Sequence, residues 1–197
     1  MIIRDIKTNA GSAFLAYFYF DFKDTAKQSS RALLTSLLVQ LSDQSHIFRD
    51  DLLALYLAHN QGSEQPTNDS LAECLTHALM ILKHDPIYLI MDALDECPSA
   101  LGVPSSREKV LELVKELVEL RHSNLRLCIT SRPEFDIRAT LQPLATQQVS
   151  LHEEIGQQQD IFDYVTSVVH SDKKMKKWRD DDKNMVIDKL TEKADGM

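Results

Sequence analysis

Residues 87–97 read IYLIMDALDEC. Five of the first six positions are apolar or aromatic, and acidic residues then follow at Asp92, Asp95 and Glu96. A strand buried on both faces of a parallel sheet reads as such a near-continuous apolar run. In open α/β sheets, ligands collect where the strands end at their carboxyl side. A carboxylate at that end is placed to hold Mg²⁺ beside a phosphate. A strand that runs into an acidic, solvated turn accounts for the same letters, and on this segment alone the two readings balance.

Residues 125–130, LRLCIT, form a second short apolar run, which stops at Thr130-Ser131-Arg132-Pro133. An arginine suits phosphate because its planar fork donates two parallel hydrogen bonds. An acidic strand tip and a Thr-Ser-Arg tip in one small sheet point to a nucleotide triphosphate site. Arg132 paired with Asp95 or Glu96 as a structural ion pair is the competing reading.

LIMDALDEC followed by LCITSRPE resembles the Walker B and sensor 1 segments of NACHT-type STAND NTPases. The likeness is nearest to the nephrocystin-3-like N-terminal domain common in large fungal proteins. FLAYFYFDFKDTAKQSS resembles that family's second strand and following helix; DIFDYVTSVV and EKADGM also resemble it. The implied fold is α/β: a P-loop NTPase-like parallel sheet with flanking helices, lacking its first (Walker A) strand, plus a C-terminal helical segment. The phosphate-cradling loop, G-x-x-x-x-G-K-[ST], is absent. None of Gly11, Gly62, Gly102, Gly156 and Gly196 is followed by Lys and then Ser or Thr. The resemblance puts that loop and its strand just before Met1, and residues 1–12 as a remnant of the helix it opens. Residues 13–151 are then the NACHT-like core, and 152–197 the start of a helical subdomain. The expected chain is a piece of a longer module, through truncation or a gene start set too late.

Carried over residue by residue, the resemblance implies that Asp92 holds Mg²⁺ and that Asp95 or Glu96 orients or deprotonates the attacking water. Thr130 or Ser131 contacts water or phosphate, and Arg132 senses the terminal phosphate. It implies Mg²⁺ with ATP or GTP in the complete module, and none bound by this chain alone. The implied function is a nucleotide-dependent switch; the implied partners are other domains of a longer protein, and self-association. A nucleotide-independent interaction domain that keeps the fold is the alternative. A metal-dependent nuclease using Asp92 and Glu96 is weaker, for no E-x-K pair lies nearby. For Glu134 and Asp21, turn and helix-start roles are favoured over site roles.

The net charge of −8 argues against nucleic acid and anionic membranes, which need a basic face. The cluster Lys173 to Arg179 is followed at once by Asp180, Asp181 and Asp182 and reads as a solvated helix end. Cys74, Cys97 and Cys128 are widely spaced, with no C-x-x-C, and read as core thiols in a reducing compartment. No apolar run approaches a membrane span and no secretory signal opens the chain, so a cytoplasmic location is expected. The histidines lack zinc spacing, and no nucleophile motif appears.

Strands are expected at Phe14, Ile87 and Leu125, adjacent in that order, with a last strand over 147–151. Helices are expected over 26–44, 47–58, from Asn68, from Ser105, over 135–141, from about Ile155, and over 185–194. Ser70 with Glu73 and Ser105 with Glu108 have capping-box spacing, and Gly196 stands where a helix end favours glycine.

Overall fold

The computed structural model describes residues 2–9, 11–99, 104–150 and 157–194. The chain divides into two compact units, Met1–Ala145 and Thr146–Met197.

Strands β1 (Phe14–Tyr19), β2 (Ile87–Asp92) and β3 (Leu125–Ile129) form one parallel sheet in the order β1-β2-β3. The expected α/β class and strand order are what the unit has. Register stacks Ala16, Leu89 and Leu127 in one row, and Phe18, Met91 and Ile129 in the next. Because side chains alternate across a strand, these rows share one face. That face carries the main core: Ile87, Leu89 and Met91 are fully buried with Phe18, Phe20 and the helical leucines. The opposite face is only partly covered. Tyr17, Tyr88 and Cys128 there are half-buried and Arg126 is exposed. Lys7, from helix α1 (Ile2–Asn9), lies 5.6 Å from the Tyr17 ring centroid on this side.

Helix α2 (Ser30–Gln44) buries Leu33, Leu34, Leu37, Leu38 and Leu41, the stripe its helical period predicts. The expected start at Ala26 is corrected. Asp24 caps a 3₁₀ turn over Thr25–Lys27, and Ser29 then caps α2 by accepting from the N–H of Ala32 at 3.1 Å. Each cap oxygen takes a backbone donor of its own, at Ala26 and at Ala32, so one expected run becomes a 3₁₀ turn and a helix. Helix α3 (His46–Ala58) follows, capped by Ser45. Helix α4 (Asn68–Ile81) is capped by Thr67, not by the Ser70–Glu73 pair. The N–H of Ser70 is instead the donor to Thr67 Oγ1, at 3.1 Å. The Ser105–Glu108 capping box does form, opening α5 (Ser106–Glu119), and α6 (Phe135–Leu141) follows β3.

The strand expected over 147–151 does not form in its described part. Residues 147–150 have no strand partner, and Gln147, Gln148 and Val149 are exposed. Local β-propensity alone does not make a strand; tertiary pairing decides it. Leu151 lies outside the described residues.

β1 stands at one edge of the sheet, and its outer backbone is closed by side chains. Gln44 accepts from the N–H of Leu15 at 2.9 Å and donates to its carbonyl at 2.7 Å. Gln40 does the same for Tyr17, at 3.1 and 2.7 Å. Two primary amides on successive turns of α2 thus mimic a neighbouring strand.

The second unit packs α7 (Gln157–Ser171) on α8 (Asp180–Ala194), with Val169 and Ile187 buried. The final helix begins at Asp180 rather than Met185, because three aspartates in its first turn complement the helix dipole. Lys173 to Arg179 form the connection between the two helices, which includes the 3₁₀ turn Met175–Lys177. The helix-end role of Gly196 falls outside the described residues.

Candidate functional site at the carboxyl end of the sheet

Strands β2 and β3 run in one direction, so their acidic and Thr-Ser-Arg tips emerge on the same side. Thr130 joins them. Its N–H donates to the Met91 carbonyl, its carbonyl accepts from Leu94, and its Oγ1 accepts from the N–H of Ala93, each at 3.0 Å. The same hydroxyl donates to Asp92 Oδ1. A valine would keep the shape and lose this bridge.

Asp95 faces the other tip. Its Oδ1 accepts from the backbone N–H of Arg132 at 2.9 Å, and its Oδ2 lies 3.5 Å from Arg132 Nε. The ion-pair geometry considered for Arg132 is therefore present. Its energetic weight is small, because the Arg132 side chain is 80% exposed. Glu96 turns toward β1, where Oε2 accepts from the N–H of Phe22 at 3.0 Å. Ser131 is exposed, and among the described residues its hydroxyl makes no hydrogen bond. Asp92, Asp95, Thr130 and Arg132 are thus bonded together in pairs, while Glu96 ties the same loop to a third one.

Backbone geometry presents these groups. Ala93 sits at φ 56°, ψ 48°, the left-handed region. This turns the chain sharply between Asp92 and the 3₁₀ turn Leu94–Glu96, so Asp95 and Glu96 point away from the strand line. On the β3 side, the N–H of Glu134 donates to the Arg132 carbonyl at 2.8 Å, a tight turn around Pro133. Asp21 accepts from the N–H of Lys23 at 2.8 Å, the turn role expected of it.

The charge of Asp92 is felt by its neighbours. Burial and then Asp92 raise the Cys128 thiol above its ordinary value. Burial, Tyr17 and then Asp92 raise the Tyr19 phenol. Among the described residues, no three His, Cys, Asp or Glu side chains group so as to hold a metal. The three carboxylates of the tip, Asp92, Asp95 and Glu96, each already accept a hydrogen bond from the protein. Mg²⁺ is commonly bound by one or two carboxylates, with water and phosphate oxygens completing its shell. A shell of that kind needs no three-carboxylate cage.

One residue escaped the sequence reading. Arg107, second in α5, is 5% exposed. Its Nε donates to the Cys97 carbonyl at 2.8 Å and its Nη2 to the Asp95 carbonyl at 2.6 Å. Its Nη1 donates to Glu134 and lies 3.4 Å from Asp136 Oδ2. Burial alone would lower the guanidinium pKa, but the hydrogen bond to Glu134 and the charges of Glu134 and Asp136 more than offset it. The only sequence signal was an arginine in the first turn of a helix, where the dipole disfavours a cation. Glu134 stands at the start of α6, as expected, but its side chain makes no cap bond there and pairs with Arg107 instead.

A parallel sheet with crossover helices defines an open α/β protein, and its polar groups gather at the carboxyl end of the sheet. The family model Nephrocystin 3, N-terminal matches residues 1–132, about two thirds of the chain. The chain belongs to that family. The match ends on Arg132 and so takes in Asp92, Asp95, Glu96, Thr130, Ser131 and Arg132. No curated protein and no solved structure matches the chain. No helix among the described residues is long and apolar enough to cross a membrane.

Proposed function

We propose that this chain is part of a NACHT-type, nucleotide-dependent switch module and carries its Mg²⁺- and γ-phosphate-reading face. The observation that carries the reading is the joining of two parallel strand tips into one polar surface. Thr130 is bonded to the Asp92 carboxylate and the Arg132 N–H to Asp95. In this reading Asp92 would hold Mg²⁺ through water, and the ion would supply positive charge against the nucleotide phosphates. Asp95 or Glu96 positions the attacking water, Thr130 or Ser131 contacts water or phosphate, and the exposed Arg132 guanidinium meets the terminal phosphate. Positioning of this kind is most of what a protein contributes to phosphoryl transfer. The backbone donors and lysine of a phosphate-cradling loop are not among these residues. The chain alone should therefore bind ATP or GTP no more tightly than about 1 mM.

The test is calorimetry with Mg·ATP and Mg·GTP on this chain and on the full gene product that contains it. Mg²⁺-dependent binding by the full product, weakened by Asp92→Asn, is expected. No binding by the full product overturns the reading. Micromolar binding by residues 1–197 alone overturns the claim that a further loop is indispensable.

A second reading, an interaction domain independent of nucleotide, is favoured by one observation. Asp92, Asp95 and Glu96 each already accept a hydrogen bond from the protein. Their carboxylates are then fastenings of the strand tips, and the calorimetric result decides between the two.

A further inference from the structure

We propose that Arg107 is the positioning residue of this site, holding the Asp95 loop and the Arg132 loop in one fixed relation. The inference takes its functional meaning from the nucleotide reading, but its geometry stands apart from it. A buried cation is costly unless it is paired and hydrogen-bonded. A cation in the first turn of a helix also opposes the helix dipole. Arg107 meets both costs and gains a joint between two loops. One side of its guanidinium spans the carbonyls of Asp95 and Cys97, two residues apart. The other side reaches Glu134 and Asp136, immediately beyond the Arg132-Pro133 turn. Asp95 is thus held from behind by its carbonyl, which leaves its carboxylate facing the N–H of Arg132. The two loops are connected twice, once at the surface by Asp95–Arg132 and once underneath by Arg107. Lysine would keep the charge beside Glu134 but cannot span two carbonyls with a rigid fork.

That difference supplies the test. Amide hydrogen exchange is measured by NMR without nucleotide on the parent chain and on Arg107→Lys. The expected result is exchange at the Arg132 amide at least about tenfold faster in Arg107→Lys, with the Leu89 and Ile90 amides unchanged. If the Arg132 amide is unchanged, the guanidinium only neutralises Glu134 and Asp136, and the proposal fails. Should Arg107→Lys not fold, the doubly substituted Glu134→Ala, Asp136→Ala chain removes one end of the joint from the surface side. It is expected to speed exchange at the same amide several-fold, and an unchanged rate there overturns the proposal equally. In a full gene product that hydrolyses nucleotide, Arg107→Lys should lower kcat about tenfold with KM within about twofold. Loss in KM alone would overturn the positioning role. A parent without hydrolysis would count against the nucleotide reading, while the exchange result still decides the role of Arg107.

Discussion

The backbone N–H of Arg132 donates to Asp95 Oδ1 at 2.9 Å, while the Arg132 side chain reaches the same carboxylate only at 3.5 Å. The two partners are unequally buried: the Asp95 side chain is 10% exposed and that of Arg132 80%. Removing them should therefore have unequal effects. Asp95→Ala leaves a backbone donor without its acceptor and should cost about 1–2 kcal/mol. Arg132→Ala removes a solvated charge and should cost less than about 0.5 kcal/mol. Urea unfolding of both variants measures the difference, and equal losses would mean that the ion pair, rather than the backbone bond, holds the tips together.

Gln40 and Gln44 close the outer edge of β1, each through one accepted and one donated hydrogen bond. An open strand edge is a template for pairing with another chain. Gln40→Leu should cost about 1–3 kcal/mol, since both backbone groups of Tyr17 lose partners in a half-buried place. The doubly substituted Gln40→Leu, Gln44→Leu chain should also self-associate. Sedimentation at rising concentration checks this, and a variant that stays monomeric with parental stability would show that water replaces the amides without loss.

How much of this could be read from the sequence depended on whether the cause was local. The strand at Ile87 announces itself by its apolar run, and the Ser105–Glu108 box by its spacing, because each needs only neighbouring residues. Parallel direction then brings Asp92 and Thr130 together without any knowledge of side-chain packing. Nothing local marks Gln40 and Gln44 as groups that close a strand edge, since their partners on β1 are 23 and 29 residues away. Nothing local marks Arg107 either, because its acceptors come from two other loops. The strand expected over 147–151 failed from the opposite cause: a good local pattern does not by itself bring its described residues onto a sheet.

Ala93 adopts φ 56° at the turn that swings Asp95 and Glu96 off the strand. A residue with a Cβ is disfavoured in this region by roughly 1–2 kcal/mol, a cost glycine avoids. Part of that gain is offset by the larger entropy glycine loses on folding. Ala93→Gly should therefore stabilise the chain by about 0.5–1 kcal/mol, and Ala93→Val should destabilise it by more than that. Thermal unfolding of the pair measures both signs. A destabilising glycine would mean that the turn is not held in the left-handed region in solution.

Cys97 ends the acidic loop fully buried, its Sγ 3.6 Å from the Gln28 carbonyl and its own carbonyl bound to Arg107. Burial pushes its thiol from 9.0 to about 11, and the nearby Arg107 charge only partly opposes this. The folded state therefore holds the proton more tightly than the unfolded state. Below about pH 9 the thiol is protonated in both states and contributes no pH dependence. Between about pH 9 and 11 the unfolded chain has lost the proton and the folded chain keeps it, so stability falls as pH rises. Above about pH 11 both forms are ionised and the slope from this group ends. At about 1.4 kcal/mol per unit of pKa difference, the loss across the window is roughly 2–3 kcal/mol. Cys97→Ala should remove this part of the alkaline decline while lowering stability at pH 8 through the lost sulfur packing. Urea midpoints at pH 8 and pH 10.5 for parent and variant provide the comparison. Below pH 9 the thiol should also resist aromatic disulfide reagents, because the reactive thiolate is scarce and shielded. Parallel pH profiles for the two proteins would mean that Cys97 titrates normally, and that the loop carrying Asp95 and Glu96 opens to water far more readily than its burial implies.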